Sequence, residues 1–413
     1  MTSRRRSREN LTVVGLQWGD EGKGKVVDYL SDGFDAVARY NGGSNAGHTV
    51  VVGPKRYRFR LVPSGAVKGK KLLIGAGVAL DPVVLKEELK LLGDMGTRPD
   101  IVVDGRCTLV SPLEKEFDGF LEGLRGGSAI GTTKMGIGPA YAARALRMSP
   151  RAMDLFSNSF DMQQMLRFYK EVLGRRPDLR GWFRVARSVL RDRVGDVSSA
   201  VSGINDAGGA VLFEAAQGTM LDIHHGTYPY VTSSSSIASY APTGLGIPAS
   251  ASRRILGVTK AYATRVGAGP FPTEQKGKLA DSIRTEGKEY GTATGRPRRI
   301  GWLDLVALKY AVKMNGAKEL VLSKIDVLAK VRDPRACVAY RHAGTESGDF
   351  YRFMANLDKV KPVYETVPSL YGAEFRSGVP APAKKLIKMI EDETGARVKL
   401  LSYGEERRRT IEL

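Results

Sequence analysis

The stretch LTVVGLQWGDEGKGKVVDYL, residues Leu11–Leu30, decides the fold. Its beginning, Leu11–Gly15, is apolar and β-branched, and a short run of this kind predicts a buried strand. After a glycine-containing loop, the segment Gly22–Leu30 has the pattern of a helix. A strand that passes through such a loop into a helix begins a β-α-β unit, so we predict an α/β protein with a mostly parallel central sheet flanked by helices.

The loop between this strand and helix suits an anion. Gly19, Gly22 and Gly24 let a phosphate approach the backbone amides at the helix N-terminus. Lys23 and Lys25 add positive charge. The loop is related to a P-loop but lacks the pattern GxxxxGK[ST], so no serine or threonine follows the lysine to hold a metal ion. We therefore predict a phosphate site that differs from an ordinary P-loop.

An acidic residue inside this loop indicates a catalytic or metal-binding role. Asp20 is electrostatically costly among phosphate groups unless it holds a metal ion or accepts a proton; an acid that serves the helix dipole is the alternative. A second glycine-rich loop, NGGSNAGHTV (Asn41–Val50), follows the predicted strand Asp35–Tyr40 and contains His48. Because loops after parallel strands open at the same edge of a sheet, we expect Asp20 and His48 to face each other across one cleft.

The remaining segments continue the alternation of strands and helices. Predicted strands are Lys71–Ile74, Ile101–Val103, Val211–Glu214, Ile255–Thr259, Leu320–Ser323 and Cys337–Tyr340. Predicted helices are Pro82–Leu92, Leu113–Leu124, Leu303–Met314 and Ala383–Glu393. We expect residues 1–10 to be a basic flexible tail. We expect residues 11–413 to form a single elaborated α/β domain, with an arginine-rich helical insertion at about 149–207 that has no clear strand.

Composition narrows the class of protein. With 42% apolar and 26% charged residues and no run of about 18 apolar residues, the chain is expected to be soluble and without a membrane span. Cys107 and Cys337 lie far apart, which disfavours a disulfide framework or zinc site and suits a reducing cytoplasm. The net charge of +20 suits anionic partners, but the basic residues are spread along the chain, so we do not predict nucleic-acid binding.

Two motifs together resemble a known family. QWGDEGKGK (17–25) and NAGHT (45–49) are similar to the paired signatures of the adenylosuccinate synthetases. Further segments match in order along nearly the whole chain: IGTTKMGIGPAY, EAAQGTMLDIHHGTYPYVTSS, TRVGAGPFPTE, GTATGRPRRIGWLD, SKIDVL and SYG. The resemblance implies a P-loop-like GTP-dependent synthetase fold. It also implies a ligase that uses GTP and Mg²⁺ to join L-aspartate to IMP through a 6-phosphoryl intermediate, as in AMP biosynthesis.

The resemblance also implies roles for the residues that match the family's motifs. The implied catalytic residues are Asp20, Lys23, His48 and Gln217, and the implied magnesium ligands are Asp20 and Gly47. The implied GTP-binding residues are Gly19, Glu21, Gly22, Gly24, Lys25, His48, Thr49, Arg299, Lys324, Asp326, Ser402 and Gly404. The implied IMP-binding residues are Asn45, Thr133, Arg147, Gln217 and Thr232. The implied aspartate-binding residues are Thr292, Ala293, Thr294, Gly295, Arg296, Arg298 and Arg299.

Several of these implied roles have a physical reason. Asp326 follows an apolar strand, and a carboxylate there can accept both N1–H and N2–H₂ of guanine, a donor pair that adenine lacks. The amide of Gln217 both donates and accepts, which suits the mixed edge of hypoxanthine. Arg147 matches an arginine that reaches the partner's active site in a homodimer; Arg144 lies close by, but the spacing to the downstream segment DLF (154–156) favours Arg147. The resemblance therefore implies a homodimer.

Other functions stay open at this point. The same chemistry on dGMP is one, because a related branch of the family is thought to use it with a hydroxyl residue in place of the catalytic aspartate; the presence of Asp20 favours IMP. A GTP-binding switch is another, although it would be expected to carry GK[ST] where this loop has GKGK. A non-catalytic nucleic-acid-binding protein is supported by charge alone. Ser44, Met135, Ala215 and Glu405 depart from the family's usual residues, but none is an implied catalytic residue.

Overall fold

A computed structural model describes residues 8–53, 55–157, 160–174, 178–291 and 295–413. The implied aspartate-binding residues Thr292, Ala293 and Thr294 lie outside these ranges, as do residues 1–7 of the expected tail. At the end of that expected tail, Arg8 pairs with Asp35, and the buried Asn10 accepts a hydrogen bond from the amide of Val211 at 2.7 Å.

Strands and helices alternate along the chain. The strands are β1 Leu11–Gly15, β2 Ala36–Arg39, β3 His48–Val52, β4 Lys55–Phe59, β5 Lys71–Ile74, β6 Ala79–Leu80, β7 Ile101–Asp104, β8 Thr108–Leu109, β9 Val194–Gly195, β10 Val211–Glu214, β11 Arg254–Lys260, β12 Ala263–Arg265, β13 Glu274–Gln275, β14 Arg299–Gly301, β15 Leu303–Asp304, β16 Glu319–Ser323, β17 Arg335–His342, β18 Thr345–Ser347, β19 Lys361–Thr366, β20 Arg397–Ser402 and β21 Thr410–Glu412. The α-helices are α1 Lys23–Leu30, α2 Pro82–Asp94, α3 Pro112–Leu124, α4 Ile137–Ala145, α5 Met162–Leu173, α6 Arg180–Leu190, α7 Val197–Asp206, α8 Tyr240–Leu245, α9 Gly277–Gly287, α10 Leu305–Asn315, α11 Ile325–Leu328, α12 Phe350–Phe353 and α13 Ala381–Thr394.

A ten-stranded sheet in the order β21-β20-β16-β11-β1-β10-β2-β5-β7-β9 forms the centre of the molecule. Its pairs are parallel except for β21, which runs antiparallel to β20 at one edge. This confirms the predicted α/β class with a mostly parallel sheet. The strand β1 lies in the middle and is buried along its whole length, because side chains from both faces of a parallel sheet are covered by helices.

The side chains of successive residues in β1 pack into two different hydrophobic cores. Val13 packs into one core, which also contains apolar residues of α2 and α6, and Val14 packs into the other, which includes residues of α10 and α13. This alternation is the period of a strand, in which neighbouring side chains point to opposite faces of the sheet. Both cysteines, Cys107 and Cys337, are buried in these cores and are free thiols.

The structure corrects the sequence prediction at several elements. The predicted strand Cys337–Tyr340 is part of β17, which belongs to a separate sheet with β15, β18 and β19. The segment 149–207 contains α5, α6 and α7, as predicted, but also the short strand β9 at the edge of the central sheet. The strands β20 and β21 were not predicted from the sequence. A two-residue strand such as β9 carries too few side chains to show a period, so only its pairing with β7 reveals it.

None of the helices in the described ranges is both long and apolar enough to cross a membrane.

Candidate active site

A cleft of about 1130 Å³ opens where the central strands end. The loops after β1, β2, β10, β16 and β20 all contribute to it, because parallel strands present their carboxyl ends at one edge. Most of the expected site residues line it: Gly19, Asp20, Glu21, Gly22, Lys23, Gly24, Lys25, Asn45, Gly47, His48, Thr49, Thr133, Gln217, Thr232, Gly295, Arg296, Arg298, Lys324, Ser402 and Gly404. Three expected residues, Arg147, Arg299 and Asp326, are not among its lining residues.

The glycine loop leads directly into the N-terminus of α1. Gly22 is the N-cap residue at φ 91°, a left-handed conformation that glycine adopts without strain, and no described side chain caps the helix. The first amides of the helix therefore remain available to an anion. Glu21 turns inward: its fully buried carboxylate accepts from the amides of Gln17 and Gly19 and binds the ammonium of Lys23 at 2.6 Å. Glu21 thus shapes the loop and holds Lys23.

The side chain of Lys25 binds the C-terminal segment that lines the cleft. Its ammonium donates to the carbonyls of Tyr403 and Gly404 at 3.1 Å each and to that of Arg409 at 2.8 Å. Burial lowers the pKa of Lys25 to about 8. These contacts attach the segment that carries Ser402 and Gly404 to the phosphate loop, so the structure shows Lys25 as a support of that segment.

His48 begins β3 and packs directly on α1. A Cβ added to Gly24 would lie 2.9 Å from the Cβ of His48, so the imidazole is placed by the close approach of the two segments. Its Nε2 is buried and has no hydrogen-bond partner in the described part of the chain. Burial lowers the pKa of His48 to about 4, with Arg39 and Lys23 acting in the same direction and Glu214 opposing them, so the ring is neutral at pH 7.

Gln217 lies between the two glycine-rich loops. The strand that precedes it, β10, lies between β1 and β2 in the sheet, and Gln217 lines the same cleft as Asp20 and His48. The side-chain amide of Gln217 donates to Oδ1 of Asn45 at 3.1 Å, whereas its Oε1 is buried without a partner among the described residues. Oγ1 of Thr232 is likewise buried and has no hydrogen-bond partner among the described residues. Buried polar atoms are normally satisfied, so these atoms suit a polar ligand.

Backbone strain coincides with the expected site. Asp20, Arg147, Gln217 and Lys324 have φ values between 55° and 60°, a left-handed conformation that costs energy for residues other than glycine. Such strain persists where the surrounding structure fixes a functional side chain.

Asp20 is held by Arg298. Nη2 of Arg298 lies 2.8 Å from Oδ1 of Asp20, which is 26% exposed to the cleft, whereas the arginine is only 6% exposed. The neighbouring Arg299 points the other way: it pairs with Glu274 at 2.7 Å and donates to the carbonyl of Gly269. Adjacent residues of an extended segment face opposite sides, so of these two expected aspartate-binding arginines Arg298 lines the cleft and Arg299 does not.

The segment expected to recognise the base lies beside the glycine loop. The hydroxyl of Ser323 donates to the carbonyl of Glu21 at 2.6 Å, which ties the end of β16 to that loop. Ser323 also stands opposite Ser402 in the parallel pair of β16 and β20. Lys324 lines the cleft, and Oδ1 of Asp326 is buried without a partner in the described ranges. The two segments expected to recognise guanine therefore lie side by side.

Arg147 lies on the surface just beyond α4. It is exposed and next to Leu146, an apolar residue that is 58% exposed. Arg144, the alternative match, donates to the carbonyl of Ala76 at 2.7 Å and so is engaged within the chain.

Sequence reasoning missed several buried charged residues in and around the cleft. Arg265 comes from the quoted segment TRVGAGPFPTE; it is 1% exposed, lines the cleft and donates to the carbonyls of Ala268 and Pro270. Burial lowers its pKa to about 9. Lys260 and Glu289 are fully buried beneath the cleft. A charged residue inside an apolar or glycine-rich segment is the signal that could have found them.

The fold and cleft define a class of protein. A doubly wound sheet whose carboxyl edge combines an uncapped helix N-terminus, a buried histidine and two adjacent polar segments is typical of a nucleotide-dependent α/β enzyme. Comparison with known proteins then gives the family. Residues 12–411 match the family model described as adenylosuccinate synthetase, and the chain belongs to this family of ligases.

Individual relatives agree with this assignment. The chain is 43% identical to the adenylosuccinate synthetase of Moorella thermoacetica, with 98% of each chain covered. It is similar to the structure of fully ligated adenylosuccinate synthetase from Plasmodium falciparum, with a TM-score of 0.88 and 32% identity over 98% of this chain and 100% of that one. The succinoaminodeoxyadenylate synthetase of cyanophage S-2L, solved with dGMP and dATP, shares the fold at a TM-score of 0.65 and 21% identity; 98% of this chain and 96% of that one are covered.

Proposed function

We propose that this chain joins L-aspartate to IMP with hydrolysis of GTP, giving adenylosuccinate, GDP and phosphate. The observation that carries the proposal is the cleft itself, which is lined by Asp20, Gln217 and His48 together with the uncapped N-terminus of α1 and Lys324. The two buried free cysteines suit a reducing compartment, and we place the reaction in the cytoplasm.

Asp20 starts the reaction. Its carboxylate accepts the N1 proton of IMP, which raises the negative charge on O6, and Gln217 binds the purine edge with its amide. O6 then attacks the γ-phosphorus of GTP, and the bond to GDP breaks. Activation of O6 as a phosphate ester is chemically necessary, because the bare oxygen is a poor leaving group. Arg298 holds the carboxylate through Oδ1, at 2.8 Å from its Nη2, so Oδ2 can accept the proton.

Lys23 and His48 stabilise the transferred phosphoryl group. Phosphoryl transfer depends mainly on positioning and on neutralising charge, and the proposal is supported by Lys23 and His48 lining the same cleft. The ammonium of Lys23 supplies a positive charge, and the neutral His48 supplies one ring N–H. Glu21 keeps Lys23 in position from inside the loop.

Magnesium fits this cleft as a partner of the phosphates. Within the described ranges no group of three or more His, Cys, Asp or Glu could hold a metal ion, so a cage made only of protein ligands is absent there. Magnesium is usually held by one or two carboxylates together with substrate phosphates and water. The half-buried carboxylate of Asp20 and the carbonyl of Gly47 would provide the protein ligands. The bound ion would neutralise charge on the phosphates.

Arginines bind the second substrate. The amine of aspartate attacks C6 and phosphate leaves, so the carboxylates of aspartate must be held near the purine. Arg296 and Arg298 line the cleft, and Nη2 of Arg296 donates to the carbonyl of Gly131, which joins the aspartate loop to the loop that contains Thr133. Bidentate guanidinium groups suit such carboxylates.

A homodimer would complete the IMP site. We propose that Arg147 reaches the phosphate of IMP bound to the partner subunit, which explains a strained and exposed arginine beside an exposed leucine. A mixed dimer of two inactive variants tests this: Arg147→Leu and Asp20→Ala subunits should regain part of the activity when combined. Activity that stays absent in the mixture would contradict the shared site.

The activity is tested by following adenylosuccinate formation with IMP, GTP, aspartate and magnesium, and by omitting each in turn. Product that requires all four, prefers GTP to ATP and disappears in Asp20→Ala supports the proposal. Turnover of dGMP in place of IMP would keep the chemistry and overturn the substrate. GTP binding or hydrolysis without either product would favour a GTP-binding switch and sink the ligase assignment.

A further inference from the structure

A buried carboxylate outside the proposed chemistry lies beneath the cleft. Glu289 follows α9 and is fully buried. Its Oε1 accepts from the ammonium of Lys324 at 2.7 Å and from the hydroxyl of Tyr262 at 2.5 Å, and its Oε2 binds Nη1 of Arg298. The ammonium of Lys260 lies 3.5 Å from Oε1. One carboxylate thus connects three cations.

Two of these cations belong to different parts of the site. Lys324 stands in the guanine-binding motif, and Arg298 pairs with Asp20 at 2.8 Å. Backbone groups near Glu289 also bind both cationic residues. The amide of Arg298 donates to the carbonyl of Glu289 at 2.9 Å, and the ammonium of Lys324 donates to the carbonyl of Gly287 at 2.9 Å. Glu289 therefore stands at the base of the aspartate loop and reaches the base pocket from the same point.

The negative charge of Glu289 stabilises the positions of the cationic side chains around it. Burial alone would raise the pKa of its carboxyl, but Lys260, Lys324 and Arg298 hold the pKa well below its usual range, so the group stays ionised. Without this negative charge, buried cations would repel each other, and Arg298 would keep Asp20 as its only carboxylate among the contacts described here.

We propose that Glu289 is a positioning residue of the ligase reaction, because its buried carboxylate fixes Lys324 at the base pocket and Arg298 at the catalytic aspartate. This inference rests on the proposed function for the role of Asp20. It predicts that GTP affinity and catalytic rate depend on the same carboxylate, although the base and the reacting purine lie in different parts of the cleft.

Glu289→Gln tests the proposal, since glutamine keeps the shape and removes the charge. We expect the KM for GTP and the Kd for GDP to rise about tenfold and kcat to fall about 100-fold, because truncating one partner of a buried charge pair affects the groups left behind. Asp104→Asn is the matched control: Asp104 is fully buried and binds Arg106 through both oxygens, yet neither residue lines the cleft. It should lower the thermal stability and leave the KM and kcat unchanged.

A double-mutant cycle separates positioning from a general structural role. If Glu289 acts on the base through Lys324, the Kd for GDP in the double variant Glu289→Gln with Lys324→Met should equal that of Lys324→Met alone. Losses that multiply, or a Glu289→Gln variant with wild-type KM and kcat, overturn the proposal. If Glu289→Gln does not fold, Glu289→Asp replaces it, and unchanged GDP affinity and kcat in that variant overturn the proposal equally.

GDP binding is measured without turnover, so the two hypotheses fail separately. A wild-type protein that forms no adenylosuccinate but shows the expected non-additive Kd values refutes the ligase activity and keeps the link between Glu289 and Lys324.

Discussion

The contact between Gly24 and His48 gives a prediction whose size follows from the structure. In Gly24→Ala, the new Cβ would lie 2.9 Å from Cβ of His48 and 3.4 Å from its Cγ and Cδ2. Carbon atoms in favourable contact are about 3.5–4.0 Å apart, so His48 must retreat by roughly 1 Å. Because the closest atom is Cβ, which is bonded to the backbone, the start of β3 has to move and a rotation of the ring is not enough.

The expected result is a loss of rate in a folded protein. A misplacement of about 1 Å can lower the rate about 100-fold, so kcat should fall by that factor. Alanine is about 1 kcal/mol better than glycine in a helix, which offsets part of the overpacking cost of about 1–3 kcal/mol, so the protein should stay folded. The KM for GTP should rise as well, because Gly24 is one of the glycines that let a phosphate approach the backbone amides of the loop.

Steady-state assays of adenylosuccinate formation, together with thermal unfolding, measure this. Gly93→Ala is the matched control, since Gly93 lies in α2 and its added Cβ would meet nothing within 4 Å. The double variant Gly24→Ala with His48→Gly should be no slower than His48→Gly alone, because glycine at position 48 removes the Cβ that the new methyl group would meet. A Gly24→Ala enzyme with a kcat close to that of the wild type would refute the reasoning.

Three further predictions address the base pocket, its support and the core. Asp326→Asn should lower kcat/KM for GTP about 100-fold and make xanthosine triphosphate the better substrate, because an amide cannot accept both guanine donors but can donate to a 2-oxo group; equal losses for both nucleotides would contradict it. Lys25→Met should raise the KM for GTP about tenfold with a smaller effect on kcat, because three carbonyls in the segment 403–409 lose their common donor; an unchanged KM would show that this segment needs no such support. Asp304→Asn should gain stability relative to the wild type as pH rises from 4 to 8. Burial raises the pKa of Asp304 from 3.8 to about 6, so its contribution is fully present below pH 3.8 and is lost as pH rises through about 6. Urea unfolding at several pH values should show a gain of about 3 kcal/mol at most, and a difference independent of pH would argue against it.

The phosphate loop shows how much of the structure short-range sequence patterns can predict. Leu11–Gly15 and the helix after Gly22 are encoded by short-range patterns, since a strand period, a glycine at positive φ and a helix start depend on neighbouring residues. The prediction that Asp20 and His48 open on one cleft also follows from local order, because parallel strands share an edge.

The sequence by itself therefore determined the α/β class and the phosphate loop, and most of the site residues expected from it line the cleft, because these depend on patterns within one segment and on motifs typical of a family. Only the tertiary structure placed β10 between β1 and β2, turned Arg298 toward Asp20 and brought Glu289 to Lys324. Those arrangements join residues far apart in the chain. Their free energy comes from burial and charge pairing between segments, which no local pattern records.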